Sequence, residues 1–192
     1  MNRKNIIFYL SDQQRADSLG CYGQKLDVSP VLDELAKDGV LFENAFTCQP
    51  VCGPARACLQ TGKFPNQTGC YLNEIGLKND ENTIAKELNK AGYETAYVGK
   101  WHLSCDYLKG LDFMHCAIPQ ERMGGYKDYV MAAEGLELVS HGYDGHVWDN
   151  EGKQIDFIGY RYYRYGGTLY SKQDLRCTFF ALSFEYRTTP TK

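Results

Sequence analysis

The stretch "NTIAKELNKAGYETAYVGKWHL", residues 82–103, changes its hydrophobic period part-way along. Asn82 is placed to cap a helix over "TIAKELNKAG", where Ile84, Leu88 and Ala91 share one face and Gly92 supplies the stop. "YETAYVG" then reads as a strand that ends at "KWHL". A helix feeding a short apolar strand that ends on polar residues is the repeating unit of an α/β protein with a mostly parallel sheet. In such sheets, sites collect at the C-terminal ends of the strands.

The same pattern extends in both directions. "NIIFYLSDQQ", residues 5–14, fits a buried parallel strand delivering Asp12 and Gln13 to a site. "SPVLDELAKDGV", residues 29–40, carries a full set of helix signals: Ser29 as N-cap, Pro30 at the first helical position, Val31, Leu32 and Leu35 as an apolar face, and Gly39 at the end. "VLFENAF", residues 40–46, is strand-like. From about Cys105 to Arg176 the periodicity loosens and tyrosines and glycines cluster in "IGYRYYRYGGTLY", which suits an insertion of antiparallel hairpins or a cover over the site. One more buried strand, "TFFALSF", follows at 178–184. No linker or repeat divides the chain, so residues 1–192 read as one unit.

The bulk composition excludes several classes. A net charge of −3 with 23% charged residues gives no basic footprint for nucleic acid. No run approaches the roughly 18 apolar residues of a membrane span. The start, "MNRKNIIFYLSDQQ", lacks a small-residue cleavage site and reads as a first strand rather than a signal peptide, so the expected compartment is the cytoplasm. Eight cysteines, at 21, 48, 52, 58, 70, 105, 116 and 177, show no tight repeat and no CxxC pair, which gives a structural zinc site little support. Most are read as buried or incidental thiols.

"QPVCGPARACLQTG", residues 49–62, is different. Pro54 suits the first turn of a helix, where a missing N–H is not needed. Free N–H groups there, with the helix dipole, favour an anion beside Cys52, and Arg56 adds a planar guanidinium suited to tetrahedral oxyanions. Three chemistries could use such a cysteine. It could be a thiolate nucleophile assisted by His102, a metal ligand beside the hard donors Asp12 and Gln13, or a residue modified before use. His115, His141 and His146 fall in the poorly periodic region and carry no assignment.

Cys52-Gly-Pro-Ala-Arg56 with "ACLQTG" resembles the sulfatase signature, Cys-x-Pro-x-Arg followed by Leu-x-Thr-Gly. "IIFYLSDQQRADSLGCYG" resembles the family's first strand and acidic turn, and "AGYETAYVGKWHL" its strand ending in Gly-Lys-Trp-His; together the motifs cover residues 5–103. The resemblance implies an alkaline-phosphatase-like fold. It implies that Cys52 is oxidised to formylglycine by a maturation enzyme, and that one hydroxyl of the hydrated aldehyde attacks sulfur while the second later expels sulfate. It further implies that Arg56 holds the hydrate, Lys100 contacts the sulfate oxygens and His102 is the base. Asp12, with the residue-52 oxygen, would bind a divalent ion, calcium or another such as Mg2+. The family usually shows two carboxylates in the first turn; this chain has Asp12-Gln13, so Gln13 would ligate through its carbonyl or contact substrate. The implied substrate is a sulfated small molecule or carbohydrate.

Sulfatase chains are typically more than twice this long, and the family's second metal-ligand pair, a further lysine and a histidine turn after the "TFFALSF" strand have no match here. The chain instead reads Glu185-Tyr-Arg-Thr-Thr-Pro-Thr-Lys192. Two expectations follow from the resemblance: a truncated or frame-shifted sulfuric ester hydrolase, or an inactive fragment that binds an anion or a partner. A phosphonate or phosphate ester hydrolase of the same superfamily is a third.

Overall fold

A computed structural model of the chain describes residues 4–12, 14–139, 145–156 and 178–185, with Asp12 and residues 178–185 described by their backbone. Among the described residues six strands form one sheet: β1 (Ile6–Asp12), β2 (Glu94–Lys100), β3 (Tyr129–Ala133), β4 (His146–Asp149), β5 (Gln154–Asp156) and β6 (Thr178–Glu185). Their order is β1-β6-β2-β3-β4-β5. The first four in that order run parallel; β4 turns back against β3, and β5 against β4. The helices are α1 (Pro30–Asp38), α2 (Cys52–Thr61), α3 (Pro65–Thr68), α4 (Ile84–Lys90) and α5 (Leu136–Val139).

Strand β2 is buried from Thr95 through Lys100 because it has a layer on each face. Alternate residues of β2 and β3 enter two separate cores, as the period-2 geometry of a strand requires. Tyr97, Val130 and Ala132 join Trp101, Tyr126, Ala57 and Ala85 on the side of α2 and α4. Val98, Met131 and Ala133 join Leu136, Val147 and Trp148 on the other. In the first core the rings of Tyr97, Trp101 and Tyr126 meet with centroids 5.0–5.9 Å apart, two of the three contacts edge-on. Such pairs add about 0.5–1.5 kcal/mol each beyond the area they bury.

The structure corrects several expectations. Strand β1 is present and parallel, but it is an edge strand among the described residues, and Ile6 to Tyr9 are 37–52% exposed instead of buried. Helix α1 follows its signals, yet Val31 and Leu35 face outward. Ser29 takes the N-cap position without capping. Its hydroxyl accepts from Gly20 N–H and donates to Asp33, tying the preceding 3-10 turn to α1. Residues 40–46 form no strand. Thr83, not Asn82, caps α4: its side-chain oxygen accepts from Lys86 N–H at 3.2 Å, and its hydroxyl donates to the Gly124 carbonyl. The buried face of α4 therefore runs through Ala85 and Leu88, leaving Ile84 and Ala91 exposed. Inside the loosely patterned region, β3 is a parallel strand and β4–β5 is an antiparallel hairpin.

Candidate active site

Helix α2 begins at Cys52 because Val51 is extended, with φ −131°, while Ala55 N–H already bonds the Val51 carbonyl at 2.9 Å. Pro54 sits in the first turn, where no N–H is needed. The Gly53 N–H finds a partner outside the helix, the Asn73 side-chain oxygen at 2.9 Å. Gly53 is also a close approach: a Cβ there would stand 3.2 Å from that oxygen and 3.5 Å from the His102 carbonyl. The absence of a side chain lets the first turn of α2 lie against the chain leaving β2. Gly62, with φ +68°, ends the helix and returns its N–H to Cys58.

Arg56, one turn beyond Cys52, points inward. It is 5% exposed, and its guanidinium donates to the Lys100 carbonyl at 2.6 Å and to the Tyr97 hydroxyl at 3.4 Å. The Tyr97 hydroxyl donates to the same carbonyl. Helix α2 is thereby fastened to the C-terminal end of β2.

Lys100 and His102 flank Trp101, whose ring belongs to the first core. The Lys100 side chain is 1% exposed and its ammonium lies 2.8 Å from Glu137 Oε1 on α5. Burial pushes the Glu137 carboxyl up, but the Lys100 hydrogen bond, with the charges of Lys100 and His102, outweighs it and holds the group below its ordinary value. His102 is buried and has φ +58°. A left-handed backbone at a non-glycine residue costs of order 1–3 kcal/mol and persists where its surroundings enforce it.

Just past this turn the chain is anchored by Glu134, the first residue after β3 and fully buried. Its Oε1 accepts from Ser104 N–H and Cys105 N–H, each at 2.6 Å, immediately after the turn at His102. Burial raises the Glu134 carboxyl, and these backbone donors oppose the rise.

Asp12 closes β1, in register with Glu185 of β6, while Gly99 of β2 pairs with Ser183. Asp12 therefore belongs to the same C-terminal edge as Lys100, two strand spacings away, roughly 10 Å. Gln13 and His141 lie outside the described residues. His115 is exposed, and His146 packs edge-on against Trp148, so neither enters the cluster. Among the described residues no group of three His, Cys, Asp or Glu side chains is placed to hold a metal. Asp12, Gln13 and residue 52 are oxygen donors suited to a hard divalent ion, and would supply three or four of the roughly six to eight oxygens calcium takes.

Of the six residues singled out in the sequence, Arg56 bonds the Lys100 backbone carbonyl and Gly53, next to Cys52, lies beside the His102 carbonyl, while the Lys100 side chain turns to Glu137 on α5. Asn73, Glu134 and Glu137 were not anticipated. Of these only Glu134 had a signal, a carboxylate directly after the apolar run "YVMAA".

The sulfatase family profile matches residues 4–162. The chain belongs to the sulfatase family. An ulvan-active sulfatase of Formosa agariphila is 40% identical over 128 residues, covering 67% of this chain and 25% of its own length. An N-acetylglucosamine-6-O-sulfatase of Bacteroides thetaiotaomicron is 36% identical over 156 residues, covering 81% and 27%. Among solved structures, one in complex with its substrate D-glucosamine-2-N,6-O-disulfate superposes with a TM-score of 0.73 at 28% identity, over 95% of this chain and 34% of that one. The Bacteroides fragilis protein yidJ superposes at 0.80 with 25% identity, over 97% and 44%. The fold is accordingly the alkaline-phosphatase-like one of sulfatases, and the chain spans about a quarter of the length of these curated relatives.

Proposed function

We propose that the chain carries the nucleophile side of a sulfuric ester hydrolase site, with residue 52 as nucleophile in its formylglycine form. The observation that carries this reading is the seating of the first turn of α2 on the chain after β2, through Gly53 beside the His102 carbonyl and Arg56 on the Lys100 carbonyl. The hydrated aldehyde supplies two hydroxyls on one carbon, one to attack and one to collapse.

Each neighbouring residue has a task in that setting. Arg56 fixes the turn from beneath and puts a permanent positive charge behind residue 52. Lys100 supplies a cation for the sulfate oxygens, with Glu137 setting its direction in the absence of substrate. His102, its backbone locked by the Glu134 anchor on the following turn, takes the proton when the enzyme-bound sulfate is expelled. A divalent ion at Asp12, with Gln13 contributing its carbonyl, would act as Lewis acid, its remaining ligands coming from beyond the described residues. The substrate class proposed is a sulfated carbohydrate, supported by the names of the relatives and by the sulfated monosaccharide named as the substrate of one solved neighbour.

Peptide mass spectrometry of protein made in a host with sulfatase maturation machinery tests this. The peptide containing residue 52 is expected to be lighter by about 18 Da, the change from thiol to aldehyde. An unchanged thiol at Cys52 overturns the assignment. Parallel assays with an aryl sulfate and an aryl phosphate separate the sulfate reading from a phosphate ester hydrolase, and any turnover should vanish in Cys52→Ala.

A further inference from the structure

Two more cysteines bracket the nucleophile turn. Cys48 lies four residues before Cys52 in an irregular segment and is exposed; Cys58 lies in the second turn of α2 and is half-buried. Their sulfurs are 3.0 Å apart. A disulfide bond is about 2.05 Å long, so about 1 Å of side-chain movement separates this contact from a covalent bond. The two are ten positions apart along the chain, and residue 52 lies between them.

We propose that Cys48 and Cys58 form a reversible disulfide that staples the segment entering the active site to the body of helix α2. The bond closes a loop around residue 52. It ties the extended Val51 to a helix already fastened to β2 through Arg56. It also occupies the two thiols nearest along the chain, leaving residue 52 out of disulfide exchange with them.

The chemistry balances with a small-molecule disulfide, such as oxidised glutathione, as oxidant. The exposed Cys48 thiolate attacks it and forms a mixed disulfide, releasing one small thiol. Cys58 then loses its proton to solvent and attacks the Cys48 sulfur, releasing the second. Two protein thiols give up two electrons and two protons, and one small disulfide becomes two thiols. Burial, followed by the neighbouring Cys48 group, pushes the Cys58 thiol up to about 12. A high-pKa thiol is a poor leaving group, and its half-burial shields its sulfur from attack, so both properties slow reduction once the bond exists.

The digestion chemistry makes the bond easy to read. Trypsin cuts after Arg56, separating a peptide of residues 38–56, which holds Cys48 and Cys52, from one of residues 57–63, which holds Cys58. The purified protein is equilibrated in glutathione buffers of increasing oxidised fraction, quenched by alkylation, and digested without reductant. The expected result is a linked pair of these two peptides, with fragmentation placing the bond at Cys48. The link is lost in Cys48→Ser and kept in Cys52→Ser. Unlinked, alkylated peptides at every glutathione ratio, or a bond through residue 52, would overturn the proposal. The measurement on the unmutated chain decides this even if a serine variant folds poorly, and it does not depend on sulfatase activity.

Discussion

Replacing Glu137 by Gln tests the electrostatics of the site most directly. The Lys100 ammonium is 1% exposed and sits 2.8 Å from a carboxylate that is 21% exposed. At an effective dielectric of about 20, two unit charges at that distance attract by about 6 kcal/mol, from which the cost of removing both from water must be subtracted. Removing one partner of a fully buried pair typically costs about 3–5 kcal/mol. Here the carboxylate keeps some water and the Gln amide still accepts a hydrogen bond, so the expected loss is about 2–3 kcal/mol. Urea unfolding followed by circular dichroism at pH 7 measures it by linear extrapolation. The companion variant Lys100→Met removes the charge that needs compensation, so the double variant should be more stable than the sum of the single losses predicts, by about 1–3 kcal/mol. The pH dependence has a fixed sign. The folded Glu137 carboxyl lies below its ordinary value of 4.5, so its contribution is present above that value and is lost as pH falls through the lower folded one. The gap between wild type and Glu137→Gln should therefore narrow below pH 4.5. A loss under about 0.5 kcal/mol, or strictly additive single variants, would refute the idea that this pair organises Lys100.

Glu134→Gln should flatten the pH profile in the opposite sense. The folded carboxyl is raised above 4.5, so the unfolded chain releases its proton first and wild-type stability falls as pH rises from 4.5 toward the folded value; the Gln variant, compared at pH 4.5 and 7.5 by urea titration, should lack that fall. Arg56→Lys replaces a planar donor reaching both the Lys100 carbonyl and the Tyr97 hydroxyl by a point charge that cannot reproduce the fork, and should cost about 2 kcal/mol in the same assay. Thr83→Ala removes the cap of α4 and should cost about 1 kcal/mol, whereas Asn82→Ala should cost much less; equal losses would contradict the assignment of the cap.

The parts of the fold that were legible in the sequence are those where local chemistry and tertiary environment agree. Strand β2 stands out because both of its faces are covered, leaving no charged residue between Glu94 and Lys100, and its end is marked by Lys100 and His102. The start of α2 was legible because Pro54 and the glycines bias the backbone wherever the helix packs. Helix α1 shows the limit of that reasoning. Its amphipathic spacing specified a helix but not a partner, and Val31 and Leu35 stay exposed among the described residues. "VLFENAF" failed for a related reason: strand propensity needs a neighbour to pair with, and the described sheet seats no strand from residues 40–46.

The site divides along the same line. Cys52 and Arg56 are four residues apart on one helix, a separation that fixes their geometry before any tertiary contact forms. Glu134 and Glu137 reach the loop and the lysine they hold from about thirty to thirty-seven positions further along the chain, and no spacing rule connects them. A rule about strand ends does. Applied to β1 and β2, it yielded Asp12, Lys100 and His102; applied to the short apolar run "YVMAA" it would have yielded Glu134, the first residue past β3. That run gives little signal of its own because it lies in a region without helical or alternating period, where a five-residue parallel strand is too short to announce itself. The residue after it is nonetheless the stronger clue, since a buried carboxyl is costly without hydrogen-bond partners, and here its Oε1 accepts from the Ser104 and Cys105 amides just past His102.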